Sequence, residues 1–285
     1  MISSDKITIY TAAASNRSLI NHLKGVWLDL PQAHELGLRL FKRNLMAQYR
    51  QSLLGIGWAL IPPLVTAALW IILRQNGVMS VGQTSISYPV FVISGTLLWQ
   101  LFSESILSPL KSVNENRAML SKINIPREGL LLSGLYELLF NTIIKLVLLA
   151  LVIIAFKQQI GFPGIFLVPA GIVAIVIAGF SIGLLLTPIG MLFSDISRGL
   201  TIMLPFLMYL TPVIYPTPKE GMMAMIMKFN PIATLLPITR DWLTNQPVTG
   251  IPLFIGFLIG FVVLFFFSLI VYRLAMPMII ERIGS

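Results

Sequence analysis

Six predominantly apolar runs divide the chain: residues 53–73, 89–107, 130–156, 165–193, 200–215 and 251–272. An α-helix needs about 20 such residues to cross a hydrocarbon layer. The pattern therefore predicts an all-α integral membrane protein with six transmembrane helices. The fifth run is short and ends at Pro216; the fourth is long and carries Gly171, Gly179, Gly183 and Gly190. Small residues at that density allow close helix approach or tilt. Ahead of the first run, residues 36–50 read LGLRLFKRNLMAQYR. Leu38, Phe41, Leu45 and Tyr49 fall on one helical stripe, and Arg39, Arg43 and Arg50 on the next. That is the pattern of an amphipathic helix lying along a membrane surface, with its cations among lipid phosphates. The chain is expected to lie on the membrane first and to turn inward at residue 53. Residues 1–30 are polar without a clear period and read as a loosely ordered extension. The expected division is 1–52, extension and interfacial helix, and 53–285, six-helix transmembrane domain.

Charge sets the expected orientation. With six spans both termini share a side. If that side is the cytoplasm, 14 of the 20 Lys and Arg lie inside and five outside (Arg74, Lys157, Lys219, Lys228, Arg240), with Lys145 inside a span. A bias of that size predicts cytoplasmic termini. Two connections stand out. Residues 108–129, SPLKSVNENRAMLSKINIPREG, form a polar inner loop that reads as helical up to Pro126. Residues 216–250 lie outside yet are not hydrophilic. Two apolar-faced stretches, 219–228 and 232–244, flank the Asn230-Pro231 break; each is too short to span. They read as re-entrant or interfacial helices, which are tolerated where they pack on protein or line a cavity.

Composition narrows the class. Apolar residues make up 56% of the chain and charged ones 11%, with a mean hydropathy of +0.87; ordinary soluble domains are about 25% charged. There is no cysteine, which excludes disulfides, thiolate nucleophiles and Cys-ligated metals. The net charge of +9 follows the topology rather than a nucleic-acid patch. No apolar run precedes residue 53, so no cleavable secretory signal is expected. The two histidines, His22 and His34, both precede the first span, and no catalytic or metal-binding set falls within a membrane site. No Gly-Lys dipeptide occurs, so there is no Walker A loop. The chain reads as a non-enzyme without cofactors of its own, and a partner must supply energy.

Candidate residues each carry a plain reading beside the functional one. Glu137, Asn141 and Lys145 recur every four residues along the third span, and Glu104 lies late in the second. Intramembrane charges face a bundle interior or a water path; pairing between spans is the favoured reading. Trp58, Trp70, Trp99, Phe102, Phe206, Tyr209 and Tyr215 suit an interfacial belt and packing. All of these but Trp70 are also candidates for a pore lining on which sugar rings stack. The cluster Arg39, Lys42, Arg43 and Arg50 suits anchoring to anionic lipid, at about 1 kcal/mol per basic residue. A sharper reading makes Arg43 and Arg50 receptors for a lipid pyrophosphate.

Four stretches in register resemble one family. YRQSLLGIGWALIPPL (49–64), SKINIPREGLLLSGLYELL (121–139), SDISRGLTIMLPFLMYLTPVIYP (194–216) and FNPIATLLPITRDWL (229–243) are similar to type-2 ABC exporter permeases that move lipid-linked polysaccharides. The closest likeness is to O-antigen (lipopolysaccharide) export permeases; teichoic acid and capsular exporters share much of the pattern. The resemblance implies a homodimeric pore in the bacterial inner membrane. Two copies of a separate ATPase, which binds ATP and Mg, would drive a polyprenyl-pyrophosphate-linked glycan outward. In that frame Asn114, Glu115, Asn116 and Arg117 are candidates for contact with the ATPase. Met222, Met225, Phe229 and Pro231, with Met223 and Met227, are candidates for an outer gate. The competing readings are a small-molecule type-2 permease and a membrane-embedded glycan-modifying enzyme.

Overall fold

A computed structural model describes residues 19–50, 52–78, 82–120, 125–218 and 220–284. Among them there are helices and no strand. In chain order the α-helices are α1 (Leu19–Arg50), α2 (Ile61–Gln75), α3 (Tyr88–Glu115), α4 (Arg117–Leu120), α5 (Glu128–Ala155), α6 (Phe162–Leu192), α7 (Ser194–Leu207), α8 (Met222–Phe229), α9 (Ile232–Leu243) and α10 (Ile251–Gly284). Short 3-10 turns occupy Gly55–Ala59 and Met208–Leu210.

The centre is α3, buried from Val90 to Phe102 but for the half-buried Gln100. It packs between α5 and α6, with α2 and α9 on its flanks and α10 behind α6. α3 and α6 run in the same direction at backbone contact. A Cβ at Gly183 would stand 2.0 Å from the carbonyl oxygen of Ile106, and Gly179 and Gly190 meet Phe102 and Leu110 in step. On another side of α6, Gly164 and Gly171 admit Trp242 and Thr239 of α9. The glycines of the fourth run therefore make close approach possible, on two faces at once.

Helices α3, α5, α6 and α10 are each long and apolar enough to cross a membrane. The α8–α9 pair, bent by 87° at the Asn230-Pro231 break, adds a fifth candidate if counted as one span. The first predicted span comes out shorter, and the fifth is shifted toward the N-terminus, starting at Ser194. α2 begins at Ile61, not at residue 53, because Gly55 has φ +50°, which interrupts a right-handed helix, and Pro62 and Pro63 fit only a first helical turn. α7 with its 3-10 turn ends at Leu210, and residues 211–215 leave the helix. Much of the predicted inner loop is helix: α3 continues to Glu115 and breaks at Asn116, and α4 follows at once. Residues 121–124 of that loop lie outside the described residues.

The amphipathic helix also differs. α1 starts at Leu19, so much of the expected loose extension is helical, and residues 1–18 lie outside the described residues. Among its described side chains Ala33, Gly37 and Leu40 are buried, with Leu38, Phe41 and Leu45 half-buried. Ala33 and Leu36 meet Gly129, Gly37 meets Leu132, and Phe41 meets the rings of Tyr136 and Phe140. α1 thus runs alongside the start of α5, and its apolar stripe packs on protein.

Replacing Gly183 by Val is expected to force α3 from α6 and to destabilise the fold by about 2 kcal/mol or more. Thermal unfolding in detergent measures this. Gly256→Ala, where nothing lies within 4 Å of the added carbon, is the matched control and should shift the midpoint little.

Candidate functional site

Where α3, α6 and α10 end and α5 begins, polar side chains lock the helices together. Arg273 of α10 donates from Nε to Glu128 at the first position of α5, and from Nη2 to Asp29 of α1 at 2.7 Å. Tyr272, fully buried, donates to the carbonyl of Arg127 at 3.3 Å. The Pro126-Arg127-Glu128 turn is held by α10 in this way. At the end of α3, Asn116 is buried and donates to the carbonyl of Ser112 at 2.7 Å. Its Oδ1 accepts from Arg43 Nη2 at 2.7 Å. Beside this turn opens a cleft of about 460 Å³, lined by Asn114 and Arg117 on one wall and by Met191, Ser194, Ser197 and Arg198 on the other.

Along the bundle, α3 and α5 share two charged rungs. Lys111 Nζ lies 2.7 Å from Glu137 Oε1, and Lys145 donates to Glu104. Lys145 is 4% exposed, so its charge is viable only with a partner. The eight-residue, two-turn spacing of Glu137 and Lys145 serves pairing between helices.

At the opposite end, residues 212–215, past the last helical bond from Thr211 to Met208, run as non-helical backbone against α3. Such backbone needs protein partners in a membrane. Val213 passes so close that a Cβ at Gly95 would stand 2.2 Å from its oxygen. Arg240 of α9, 4% exposed, donates from Nη1 to the carbonyl of Pro212 at 3.2 Å and reaches that of Val213 at 3.5 Å. Its guanidinium stacks 3.7 Å from the ring centre of Phe91. Tyr88 donates to Ile214 O at 3.2 Å, and Arg74 covers the Tyr88 ring. Asn230 donates to Leu210 O at 3.1 Å and to Thr211 Oγ1 at 3.0 Å, and accepts from the N–H of Ile232. One side chain thereby fixes both the α8–α9 bend and the end of the α7 segment.

The family model for the ABC-2 type transporter matches residues 36–242, from α1 to α9. The chain belongs to the ABC-2 type transporter family. It is a multi-pass membrane subunit, and the family works within ABC transporters that include an ATPase. Relatives include the O-antigen export system permease protein RfbA of Myxococcus xanthus, 26% identical over 213 residues, covering 73% of this chain and 80% of that protein. The O-antigen export system permease protein RfbA of Klebsiella pneumoniae is 24% identical over 254 residues, covering 87% of this chain and 96% of that protein.

The candidate residues fall into separate groups. Trp99 and Phe102 are each 5% exposed and pack on one another inside the bundle, so they present no ring to an open surface. The pore-lining expectation is corrected for these two: α3 is the core helix. Trp58, Phe206 and Tyr209 are exposed, and Tyr215 is half-buried with its hydroxyl on the Tyr209 carbonyl. Met222, Met225 and Phe229 are exposed along α8, Met227 is buried, and Pro231 opens α9. Arg43 and Arg50 part company. Both are exposed, but Arg43 also donates to Asn116 and, at 2.9 Å, to Asn44 Oδ1. Arg39 pairs with Glu35 at 2.5 Å, and Lys42 is exposed. Arg117 and Asn114 line the cleft, while Glu115 lies 3.9 Å from Lys111. Sequence reading missed the Asp29–Glu128–Arg273 cluster and Arg240. The signal for Arg240 was a cation inside the apolar stretch 232–243.

Lys145→Met alone should lower the thermal midpoint more than Lys145→Met with Glu104→Leu, because the single change strands a carboxylate. Arg240→Met should free residues 211–215 from α3. The chain has no cysteine, so Val213→Cys gives one clean label site. Maleimide labelling of that site, slow with Arg240 present, is expected to become fast in the Met variant.

Proposed function

We propose that the chain is the membrane subunit of an exporter for a polyprenyl-pyrophosphate-linked polysaccharide of the O-antigen type. The observation that carries this reading is the near end-to-end similarity to permeases named for O-antigen export. Two copies form the pathway in the bacterial inner membrane, with both termini in the cytoplasm, and two copies of a separate ATPase drive it. The skew of 14 inner to five outer cations supports that orientation.

Six crossings are compatible with the short helices. α2 and the 3-10 turn ahead of it reach roughly 30 Å at standard helical rises, the thickness of a hydrocarbon core. α7 with its own 3-10 turn reaches roughly 27 Å. The α8–α9 pair then enters from the outer side, with the apolar residues Met222, Met225 and Phe229 on the face left open by this protomer. Flexible Met side chains can close a gap and repack around a passing chain, which suits an outer lid. The exposed Arg50, just ahead of the first span, stays a receptor for the pyrophosphate, because a guanidinium fork fits phosphate oxygens. Arg43 serves differently, as a brace for the turn at Asn116.

Proteoliposomes carrying this chain and its ATPase, with a short pyrophosphate-linked glycan in the lipid, test the reading. The glycan should become accessible to an added lectin only with hydrolysable ATP. ATPase stimulation by small amphiphiles without glycan exposure would replace it with small-molecule transport. In the same assay Arg50→Lys should slow export several-fold with normal insertion; unchanged export would remove the phosphate role.

A further inference from the structure

We infer that the cleft between α4 and the α6–α7 junction receives a carboxylate side chain of the partner ATPase, gripped between Arg117 and Arg198. The inference rests on reading the chain as an ABC transporter subunit, and it names the chemistry of the contact and a second wall for it. The cleft measures about 460 Å³. Arg117 lines one side, and Ser194, Ser197 and Arg198 line the other. Both arginines are exposed, and neither has a carboxylate partner among the described residues. The nearby acids, Glu115 and Asp195, are not among the lining residues. Two exposed arginines that line one open polar space invite an anion, and a guanidinium fork suits the paired oxygens of a carboxylate or a phosphate. Ser194 starts the 14-residue α7, so the positive end of that helix's dipole lies beside the same space.

Two observations favour a protein carboxylate over the pyrophosphate of a lipid. Most of the lining is polar, whereas a polyprenyl tail needs apolar surface continuous with its phosphate site. The walls are also two inter-helix connections, past the last residues of α3 and at the end of α6. These two helices touch backbone to backbone at Gly183 and Gly179. A partner seated in the cleft would therefore move α3 and α6 as one body. α7 leaves the cleft and leads directly to the non-helical segment 211–215 at the other end.

The experiment is copurification of the full-length chain with its ATPase from membranes in mild detergent. Arg117→Glu with Arg198→Glu is expected to lower the ATPase recovered per permease ~10-fold or more, as loss of a desolvated charge pair does. Arg117→Lys with Arg198→Lys should retain more than the Glu variant does. Replacing one ATPase carboxylate by Arg should restore recovery with the Glu variant and with no other. The thermal midpoint of the Glu variant, unchanged from wild type, shows that the fold is intact; if it falls, Arg117→Gln with Arg198→Gln takes its place. Recovery unaltered by charge reversal overturns the inference. So does intact recovery with lost binding to vesicles containing geranylgeranyl diphosphate, which would make the cleft a lipid-phosphate site. Failure of the wild-type chain to copurify with any ATPase would instead sink the transporter reading on which the inference stands.

Discussion

The backbone contact between α3 and α6 is the constraint on which the rest of the molecule depends. Lipid offers little hydrophobic drive for helices to associate, so close van der Waals packing must supply it. Glycine is the device: Gly179, Gly183 and Gly190 leave the α3 backbone and side chains as direct neighbours of α6. With α6 that near, α3 is surrounded, and every other helix packs against one of these two or against a helix that does. α5 lies on α3, α9 and α10 on α6, and α1 on α5. The exposed apolar faces of α2, α5, α7 and α10 are then the surfaces left for lipid.

Polar groups in such a structure have to find partners inside the protein, and the chain places them at three levels. The Arg273 cluster joins three helices at one end. The Lys111–Glu137 and Lys145–Glu104 rungs tie α3 to α5 in the middle. At the far end, Arg240, Tyr88 and Asn230 satisfy the carbonyls of a segment that has left the helix. An unpaired carbonyl at that depth costs several kcal/mol, so these side chains determine where a non-helical stretch can exist. Breaks of this kind permit motion that a straight helix would resist.

What the sequence disclosed follows from which interactions are local. The α3, α5, α6 and α10 runs were legible because burial in lipid needs only length and apolarity. The bend at Asn230-Pro231 was legible too, since proline and an Asx cap act within a few residues. The start of α2 was misplaced because hydropathy continues smoothly through Gly55, whose positive φ is a backbone fact. Trp99 and Phe102 looked like lining residues because an aromatic in a span carries no mark of which neighbour it meets. Arg43 and Asn116 are 73 positions apart, and Asp29 and Arg273 are 244 apart. No periodicity can reveal such pairs. The basic stripe of α1 is the instructive case: its pattern was right, yet the apolar stripe packs on α5 and one of its cations braces a loop.

These levels form one mechanical path. A load on α4 meets Asn116, which is bonded to the last turn of α3 and to Arg43 of α1. α3 cannot shift along its axis without carrying α6, since their backbones are in contact at Gly183. The other end of α3 holds Gly95 against Val213, and Phe91 against Arg240. A small displacement of α3 therefore changes the seat of residues 211–215 directly. α9 rests on α6 through Gly164 and Gly171, so it follows the same pair of helices. Rigidity in the middle thus favours transmission, and the compliant elements lie at the two ends: a cleft between connections at one, and a bent helix pair beside an unwound segment at the other. Transport across a membrane needs such a division, because a pathway must open repeatedly at its mouths without losing the seal between the central helices.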